Sequence, residues 1–368
     1  MNLPKNSFLF LMLIVIFALT IFLGGVFFNN PSKSLNSFMP KKENTKNKEV
    51  ANSDKQLLGE AKILFAGDLM LDRYNRKIMT NKGFQYFTKD MGEIFQTADL
   101  NVVNLEGPVT DNQSLAIDTE MENPAHFKFT FDKATKSFLL YNRINLVNLG
   151  NNHILNFGEE GATQTVDFLA ENKIGYIGSP LDEHNTYSER EINGLKIALV
   201  SYNRFYKLGS ENTAAKIREA KNKNDIVIVY AHWGNEYDLN MSDAQRDIAH
   251  KFIDSGADII IGSHPHVVQP IEIYQNKAIF YSLGNFVFDQ YFSENVKEEL
   301  IVMISLKKNR WDFSLVPLHQ AAGGELAMND SAWREKLLGR LSQDSLVNDS
   351  IKSQIKAGSF FLENSLKK

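Results

Sequence analysis

A chain of 368 residues, 43% hydrophobic and 23% charged, has the composition of a globular protein with one large domain or two ordinary ones. Its formal net charge of −4 lacks the basic footprint of a nucleic-acid binder, so no nucleic-acid partner is expected. Cysteine is absent, which excludes disulfides and thiolate metal ligands.

The N-terminus departs from this average. Residues 8–28 carry no charge and are rich in Leu, Ile, Val and Phe. At about 1.5 Å per residue, such a helix spans the roughly 30 Å hydrocarbon core of a bilayer. A secretory signal has a shorter apolar region, about 7–15 residues, and a small-residue cleavage site. Here Gly24-Gly25-Val26-Phe27-Phe28 closes the run instead. Residues 1–28 therefore read as one membrane anchor, with a cleaved signal as the alternative. Lys5 precedes the span and Lys33, Lys41 and Lys42 follow it, so positive charge leaves the orientation nearly balanced. Residues 29–60 are rich in Lys, Asn, Glu and Ser and read as a flexible linker, having too little apolar content for a core.

From Lys62 onward short apolar runs recur at 63–66, 100–103, 144–147, 197–200, 226–229 and 259–261. Near-continuous runs of this length suit strands buried on both faces. Helical patterns lie between several of them. Residues 159–172 place Val166, Leu169 and Ala170 at helical spacing, and 242–255 do the same with Ile248, Phe252 and Ile253. Strand–helix alternation predicts an α/β fold. Runs at 278–281, 300–306 and 313–318 are closely connected and read as antiparallel or mixed strands. Beyond residue 320 the tail to 368 reads as a C-terminal helical extension, so the domain itself is expected over 61–320.

The ends of these strands carry the chemistry. Gly67-Asp68 closes the first run, Asn104-Leu105-Glu106 the second and Asn151-Asn152-His153 the third. His232-Trp233-Gly234-Asn235-Glu236-Tyr237 and Gly262-Ser263-His264-Pro265-His266 follow two later runs, and Ser282-Leu283-Gly284-Asn285-Phe286 another. Each motif alone has a structural explanation: Asp68 as a turn former, an Asn as a helix cap, His232 as a satisfied core histidine. Together they gather imidazole, carboxamide and carboxylate where α/β sheets place ligands. That donor set suits a divalent ion bound through nitrogen and oxygen. Pro265 fixes its own φ and biases His264 toward extended geometry, from which a loop can turn both imidazoles to one point. No Gly-x-Ser-x-Gly elbow, phosphate loop or His-Glu-x-x-His helix competes with this reading. His126, His184, His250 and His319 stand outside the motifs, with His126 placed to approach from its loop.

The ordered motif set over residues 61–320 resembles the poly-gamma-glutamate capsule biosynthesis proteins of the CapA type. That family is similar in fold to the calcineurin-like metallophosphatases. The resemblance implies a four-layer α/β/β/α sandwich of the metallo-dependent phosphatase type, preceded by one transmembrane helix. It also implies a single-pass protein of the cell membrane with an extracytoplasmic catalytic domain, and a membrane polymer synthase complex as partner. Its substrate would be an anionic polymer or a phosphate-containing molecule. One or two divalent ions, Mn, Fe or Zn, would be held by Asp68, Glu106, Asn152, His232, His264 and His266. Glu106 would take the bridging place, and His153, oriented by Asn156, would serve the leaving group as acid. Asn104, Asn151, Glu236 and Asn285 would support the ligands or touch substrate.

Two positions depart from the pattern. Met70 stands where metallophosphatases carry a histidine, and a thioether is a poor ligand for a hard ion. Asn156 stands where the capsule family usually has Asp, so it can accept a hydrogen bond from His153 but supplies no charge. The functional expectation is a metal-dependent hydrolase-type site in polymer synthesis or export. The alternatives are a phosphomonoesterase or phosphodiesterase on another surface substrate, and a non-catalytic polymer-assembly subunit.

Overall fold

The computed structural model describes residues 59–363 apart from Gly92, 182–186, 207–208 and 329–330. The expected membrane segment, the linker up to residue 58 and His184 lie outside the described residues. Among those described, no helix is long and apolar enough to cross a membrane. Gly59 and Glu60, expected in the linker, belong to the domain: the Gly59 amide donates to Asn193 O at 2.9 Å, and Asn193 Nδ2 to Glu60 O at 2.7 Å.

Two sheets form the domain. In the first, β1 (Ala61–Leu69), β2 (Leu100–Leu105), β3 (Ile144–Asn148) and β4 (Gly175–Ile177) run parallel side by side. The chain then builds a second, six-stranded sheet from β5 (Tyr187–Ile192), β6 (Leu195–Asn203), β7 (Ile226–His232), β8 (Ile259–Ser263), β9 (Ile271–Tyr274) and β10 (Lys277–Phe280). Its central strands β6, β7, β8 and β10 are parallel, and β5 and β9 close the edges antiparallel. Finally β11 (Glu298–Leu306), β12 (Arg310–Gln320), β13 (Leu326–Ala327) and β14 (Ser359–Glu363) return to the first sheet and make it eight-stranded.

Because the central strands are apolar on both faces, each sheet needs cover on both sides. Odd-numbered residues of β6, such as Ile197 and Leu199, join Phe65, Val102 and Leu146 in a core between the sheets. Even-numbered Ala198 and Val200 face outward and pack on α4 (Ser210–Lys221) and α5 (Asp243–Asp254) through Ile217 and Phe252. On the far face of the first sheet, Leu64 and Val103 meet α1 (Arg73–Lys82), α2 (Thr135–Tyr141) and α3 (Gly158–Glu171) through Ile78, Phe138 and Leu169. The order is helix, sheet, sheet, helix. Ser242 starts α5 with a capping box: its side chain accepts from the Gln245 amide at 3.2 Å while Gln245 Oε1 accepts from the Ser242 amide at 3.0 Å.

The tail is more than the expected helical extension. A short α6 (Glu294–Lys297) leads into β11, and α7 (Ser331–Asp344) and α8 (Asp349–Ala357) follow the sheet. Leu338, Leu341 and Ile355 of these helices lie in the core between the sheets. Gly358 then stops α8 in the left-handed region, and β14 pairs antiparallel with β12 from Ser359↔Ser314 to Glu363↔Arg310. Residues past 320 therefore complete the domain.

Candidate metal centre

Six parallel strands, three from each sheet, end at the same margin of the sandwich. The cluster forms where β1, β2 and β3 face β6, β7 and β8 across the inter-sheet core. Asp68 on β1 and Glu106 just past β2 are both fully buried. Alternation puts His232 on the face of β7 that also carries Ile228 and Tyr230, toward the first sheet. After β8, His264 and His266 complete the group. Three donor sets have ligand atoms within 4.8 Å of one another: Asp68, Glu106 and His266; Glu106, His232 and His264; and Glu236, His264 and His266.

The two loop histidines converge by a route unlike the expected one. Pro265 biases its predecessor to extended backbone, yet His264 has φ 94° and His266 φ 57°. Arg73, Tyr237 and Val287, all near this margin, also have positive φ, at 52°, 66° and 61°. Each such residue costs on the order of 1–3 kcal/mol, so the surrounding structure over-determines these conformations. The result is an imidazole pair with ring centroids 5.9 Å apart, and His264 lies 4.8 Å from the His232 ring.

The imidazoles are oriented by their rear nitrogens. Nδ1 of His266 lies 2.9 Å from Asn285 Oδ1, leaving Nε2 toward Glu106 Oε1 at 3.7 Å. Nδ1 of His232 lies 3.0 Å from Ser263 Oγ, and its Nε2 faces Asn152 Oδ1 at 2.9 Å. Partners of this kind fix tautomer and ring plane for a ligand histidine. Asn104 sits under both carboxylates: its Nδ2 lies 2.8 Å from Asp68 Oδ1 and 3.2 Å from Glu106 Oε2. Its Oδ1 accepts from Asn148 Nδ2 at 3.0 Å and from Asn151 Nδ2 at 3.2 Å. Ser201 on β6 in turn donates to Asn148 Oδ1 at 2.6 Å, so the chain of amides ties the second sheet to the two acids.

Two buried polar atoms at the centre have no hydrogen-bond partner among the described residues, Glu106 Oε1 and His264 Nδ1. An unpaired buried oxygen and nitrogen, each costing about 1–3 kcal/mol, call for an occupant. Neighbouring imidazole and carboxylate donors fit a divalent ion. The electrostatics agree. Burial pushes Glu106 well above its usual range, and the charge of Asp68 adds to the push. Burial would also raise Asp68, but the hydrogen bond and charge of His266, the charge of His232 and the His264 amide outweigh it and hold Asp68 low. Burial lowers His264 to about 4, with the charge of His266 next. It also holds His232 well below the ordinary histidine range.

His153 is brought to the same margin. Its ring packs tilted against Phe129 with centroids 4.3 Å apart, and Nε2 lies 3.8 Å from Glu106 Oε1. Burial, then the charges of His266 and His264, push it down to about 3. Asn156 does stand behind it, but with its nitrogen: Nδ2 lies 3.1 Å from His153 Nδ1 and donates to Phe127 O at 2.8 Å. An amide donating to Nδ1 leaves the ring proton on Nε2, where a carboxylate would have done the reverse. Met70 is buried in the outer core, its sulfur accepting from the Asp72 amide at 3.1 Å, so it offers the centre nothing. Glu236 is exposed, yet it shares a donor set with His264 and His266, which makes it a direct ligand candidate as well as a supporting one.

The sequence reading passed over three features. Asn148 carries the amide chain. Arg73, wedged 5.0 Å from the Phe129 ring, bonds Asp289 and, at 2.8 Å, His126 Nε2. The loop Asn203-Arg204-Phe205 closes β6 beside His232, and Phe205 packs 4.5 Å from the His264 ring. A polar residue after an apolar strand was the signal in each strand-end case, the same signal that marked the other motifs.

Comparison with known proteins places the chain in a family. Residues 62–290 match the family of the bacterial capsule synthesis protein PGA_cap. The chain belongs to that family. It is 32% identical over 304 residues to the PGA biosynthesis protein CapA of Bacillus subtilis, covering 76% of this chain and 77% of that one. It is 27% identical to the capsule biosynthesis protein CapA of Bacillus anthracis, over 77% of this chain and 73% of that one. Among solved structures, a novel phosphatase from Mycoplasma pneumoniae aligns over 84% of this chain and 96% of its own, at 14% identity and a TM-score of 0.41. A score of that size does not establish a shared fold, and the site stands on its own geometry. The family match ends before β11, so β11 to β14 and the tail helices lie outside it.

Proposed function

We propose that this family member acts in the synthesis or export of a poly-gamma-glutamate-like polymer, through a metal-assisted hydrolase- or transferase-type site on an extracytoplasmic domain anchored by residues 8–28. The polymer assignment is supported by the names of the relatives, which are tied to PGA and capsule biosynthesis. A membrane synthase complex is the partner such a role calls for. The observation that carries the site is the pair of orphaned buried atoms, Glu106 Oε1 and His264 Nδ1, inside interlocking donor sets.

Asp68, Glu106 and His266 would hold one divalent ion, and Glu106, His232 and His264, with Asn152, a second. When bound, such ions supply Lewis-acid polarisation of a substrate oxygen and a nucleophile at neutral pH. The chain's own residues do the rest. Asn104 and the amides behind it keep both carboxylates in place as charge changes around them. His153, neutral at pH 7 and with its proton on Nε2, faces the centre and can donate that N–H as a hydrogen bond to a substrate oxygen on which negative charge develops. Phe129 packs against His153 and Phe205 against His264, on two sides of the histidine cluster.

The test is elemental analysis of the purified full chain beside a His264→Ala/His266→Ala variant. About one or two equivalents of Mn, Fe or Zn are expected, lost in the variant. A wild-type chain that takes up no metal on reconstitution would overturn the hydrolase-type reading and leave only a polymer-assembly role.

A further inference from the structure

A centre of buried imidazoles and acids engages one group of a polymer but does not by itself choose which polymer. The charges around its mouth bear on that choice. Two arginines make themselves felt at the site: Arg73 acts on Glu106 and Tyr237, and Arg204 on His264. They are in opposite states. Arg73 is 7% exposed, gives Nε to Asp289 at 2.9 Å and Nη1 to His126, and is sandwiched near the rings of Phe129 and Phe288. Its fork is spoken for. Arg204 is exposed, and its guanidinium has no acidic or hydrogen-bonding partner among the described residues.

The backbone beneath Arg204 is fixed although its side chain is not. The β6–β7 ladder pairs Asn203 with His232, and the Arg204 amide continues it by donating to His232 O at 3.1 Å. Asn203 Oδ1 accepts from the Phe205 amide at 3.0 Å and locks the turn. Phe205 then stands 45% exposed, its ring 4.5 Å from His264 and 6.0 Å from His232. In a parallel ladder paired residues share a face, so Asn203 lies on the same face as His232, toward the centre. Asn203 is 7% exposed and its Nδ2 has no acceptor among the described residues. Thus a free guanidinium, an unsatisfied buried amide donor and an exposed aromatic ring stand together on one strand end next to a proposed ligand. Among the described residues nothing uses the guanidinium or the amide donor.

We propose that the Asn203-Arg204-Phe205 turn reads a free carboxylate of the substrate chain beside the bond presented to the metal centre, with Arg204 as the contact. This rests on the polymer reading above and sharpens it. A γ-linked glutamyl chain carries its backbone amide through the side-chain carboxyl and keeps a carboxylate on every α-carbon, one or two bonds from an amide. An α-linked chain of the same length and charge holds its carboxylates at the end of a flexible two-carbon arm. A guanidinium rooted on a strand end beside the centre suits the first arrangement, where the carboxylate lies next to the amide, and guanidinium and carboxylate match in two parallel hydrogen bonds. Asn203 gives that turn its position, and Phe205 keeps the contact partly dry, which strengthens it.

The experiment uses the full chain in a neutral detergent, with calorimetric titration of a short γ-linked glutamyl oligomer and of its α-linked counterpart. Wild type is compared with Arg204→Gln and Arg204→Lys, and metal content is measured on each. Wild type should prefer the γ-linked oligomer. Arg204→Gln should weaken it by about 10- to 100-fold, the range of one charge-assisted contact, and bring the two oligomers close together. Arg204→Lys should fall between, since it keeps charge but loses the fork. Metal content should be the same in all three. Unchanged γ-oligomer affinity in Arg204→Gln overturns the proposal for Arg204 alone. Loss of metal with that variant overturns it too, by showing a structural role. A wild type that binds neither oligomer, or both alike, removes the polymer reading and the proposal with it.

Discussion

Glu106→Gln should make the metal-free protein more stable at neutral pH while removing its capacity for metal. The side chain is fully buried, its Oε1 is unpartnered, and its acid group is pushed up by burial and by Asp68. Folded Glu106 holds its proton more tightly than the unfolded chain does. Its contribution is therefore favourable below its ordinary value of 4.5 and is lost as pH rises through and above that value. At about 1.36 kcal/mol per pH unit, the roughly 2.5 units between 4.5 and 7 set a ceiling near 3 kcal/mol on what the acid costs the fold. Coulomb repulsion gives the same scale: the ligand oxygens of Asp68 and Glu106 lie within 4.8 Å, and two charges about 5 Å apart at an effective dielectric of about 20 repel by roughly 3 kcal/mol. Gln keeps the volume, carries no charge and can donate to Asp68, so a gain of about 1–3 kcal/mol is expected near pH 7 and almost none near pH 4.5. Urea unfolding of the 55–368 unit in chelator, at both pH values, measures it. A variant no more stable than wild type near pH 7, or equally stabilised at both, would refute the account of Glu106 as a buried acid kept for a metal.

Two further outcomes follow from the same geometry. Metal binding at pH 7 should release close to one proton per chain and tighten as pH rises, because the raised Glu106 must give up its proton while His264, held at about 4, has none to give. Titration of Zn in buffers of differing ionisation enthalpy reads this directly, and zero release would contradict it. Gly67→Ala should disable the centre without touching a ligand. A Cβ there would lie 1.9 Å from Gly284 O and 2.8 Å from Gly284 C, both backbone. The strand would have to leave the Gly284 carbonyl that holds the Asp68 amide at 3.1 Å, at a cost of about 1–3 kcal/mol or more. A lowered Tm with reduced metal content is expected, and full metal content at unchanged Tm would count against it.

The sequence was legible where the signal was continuous along the chain. Every apolar run taken as a buried strand is one, and the polar residues at their ends converge, because parallel strands of two facing sheets finish at one margin. Edge strands escaped because they are short or only half buried. For β5 the cue was present: Asn193 and Gly194, with φ 50° and 83°, make the tight turn that joins it to β6. The strand β14 was hidden behind helical periodicity, although Gly358 marks the stop and Phe360 and Leu362 alternate into the core. What no pattern could give was direction. Pro265 argued for an extended His264, and the packing of Phe205 against its ring accompanies a left-handed one instead. Asn156 was expected to accept from His153, but the Phe127 carbonyl claims its amide nitrogen and so turns that nitrogen to the ring.

The distribution of unsatisfied and strained groups explains why so much of this site could be read from one sequence. A core folds by satisfying its polar atoms and relaxing its backbone, and over most of the two sheets it does both. Around the centre it does neither: Glu106 Oε1, His264 Nδ1 and Asn203 Nδ2 lack partners, and Arg73, Tyr237, His264, His266 and Val287 sit at positive φ. Costs of this kind also occur elsewhere, as at Glu299 and Trp311, but these fall on the loops that carry the sequence motifs and on the loop after β6. That the turn at Asn203-Arg204-Phe205 shares the pattern of orphaned donor and idle charge, on the same ladder as His232, is why it belongs with the centre rather than with the fold that supports it.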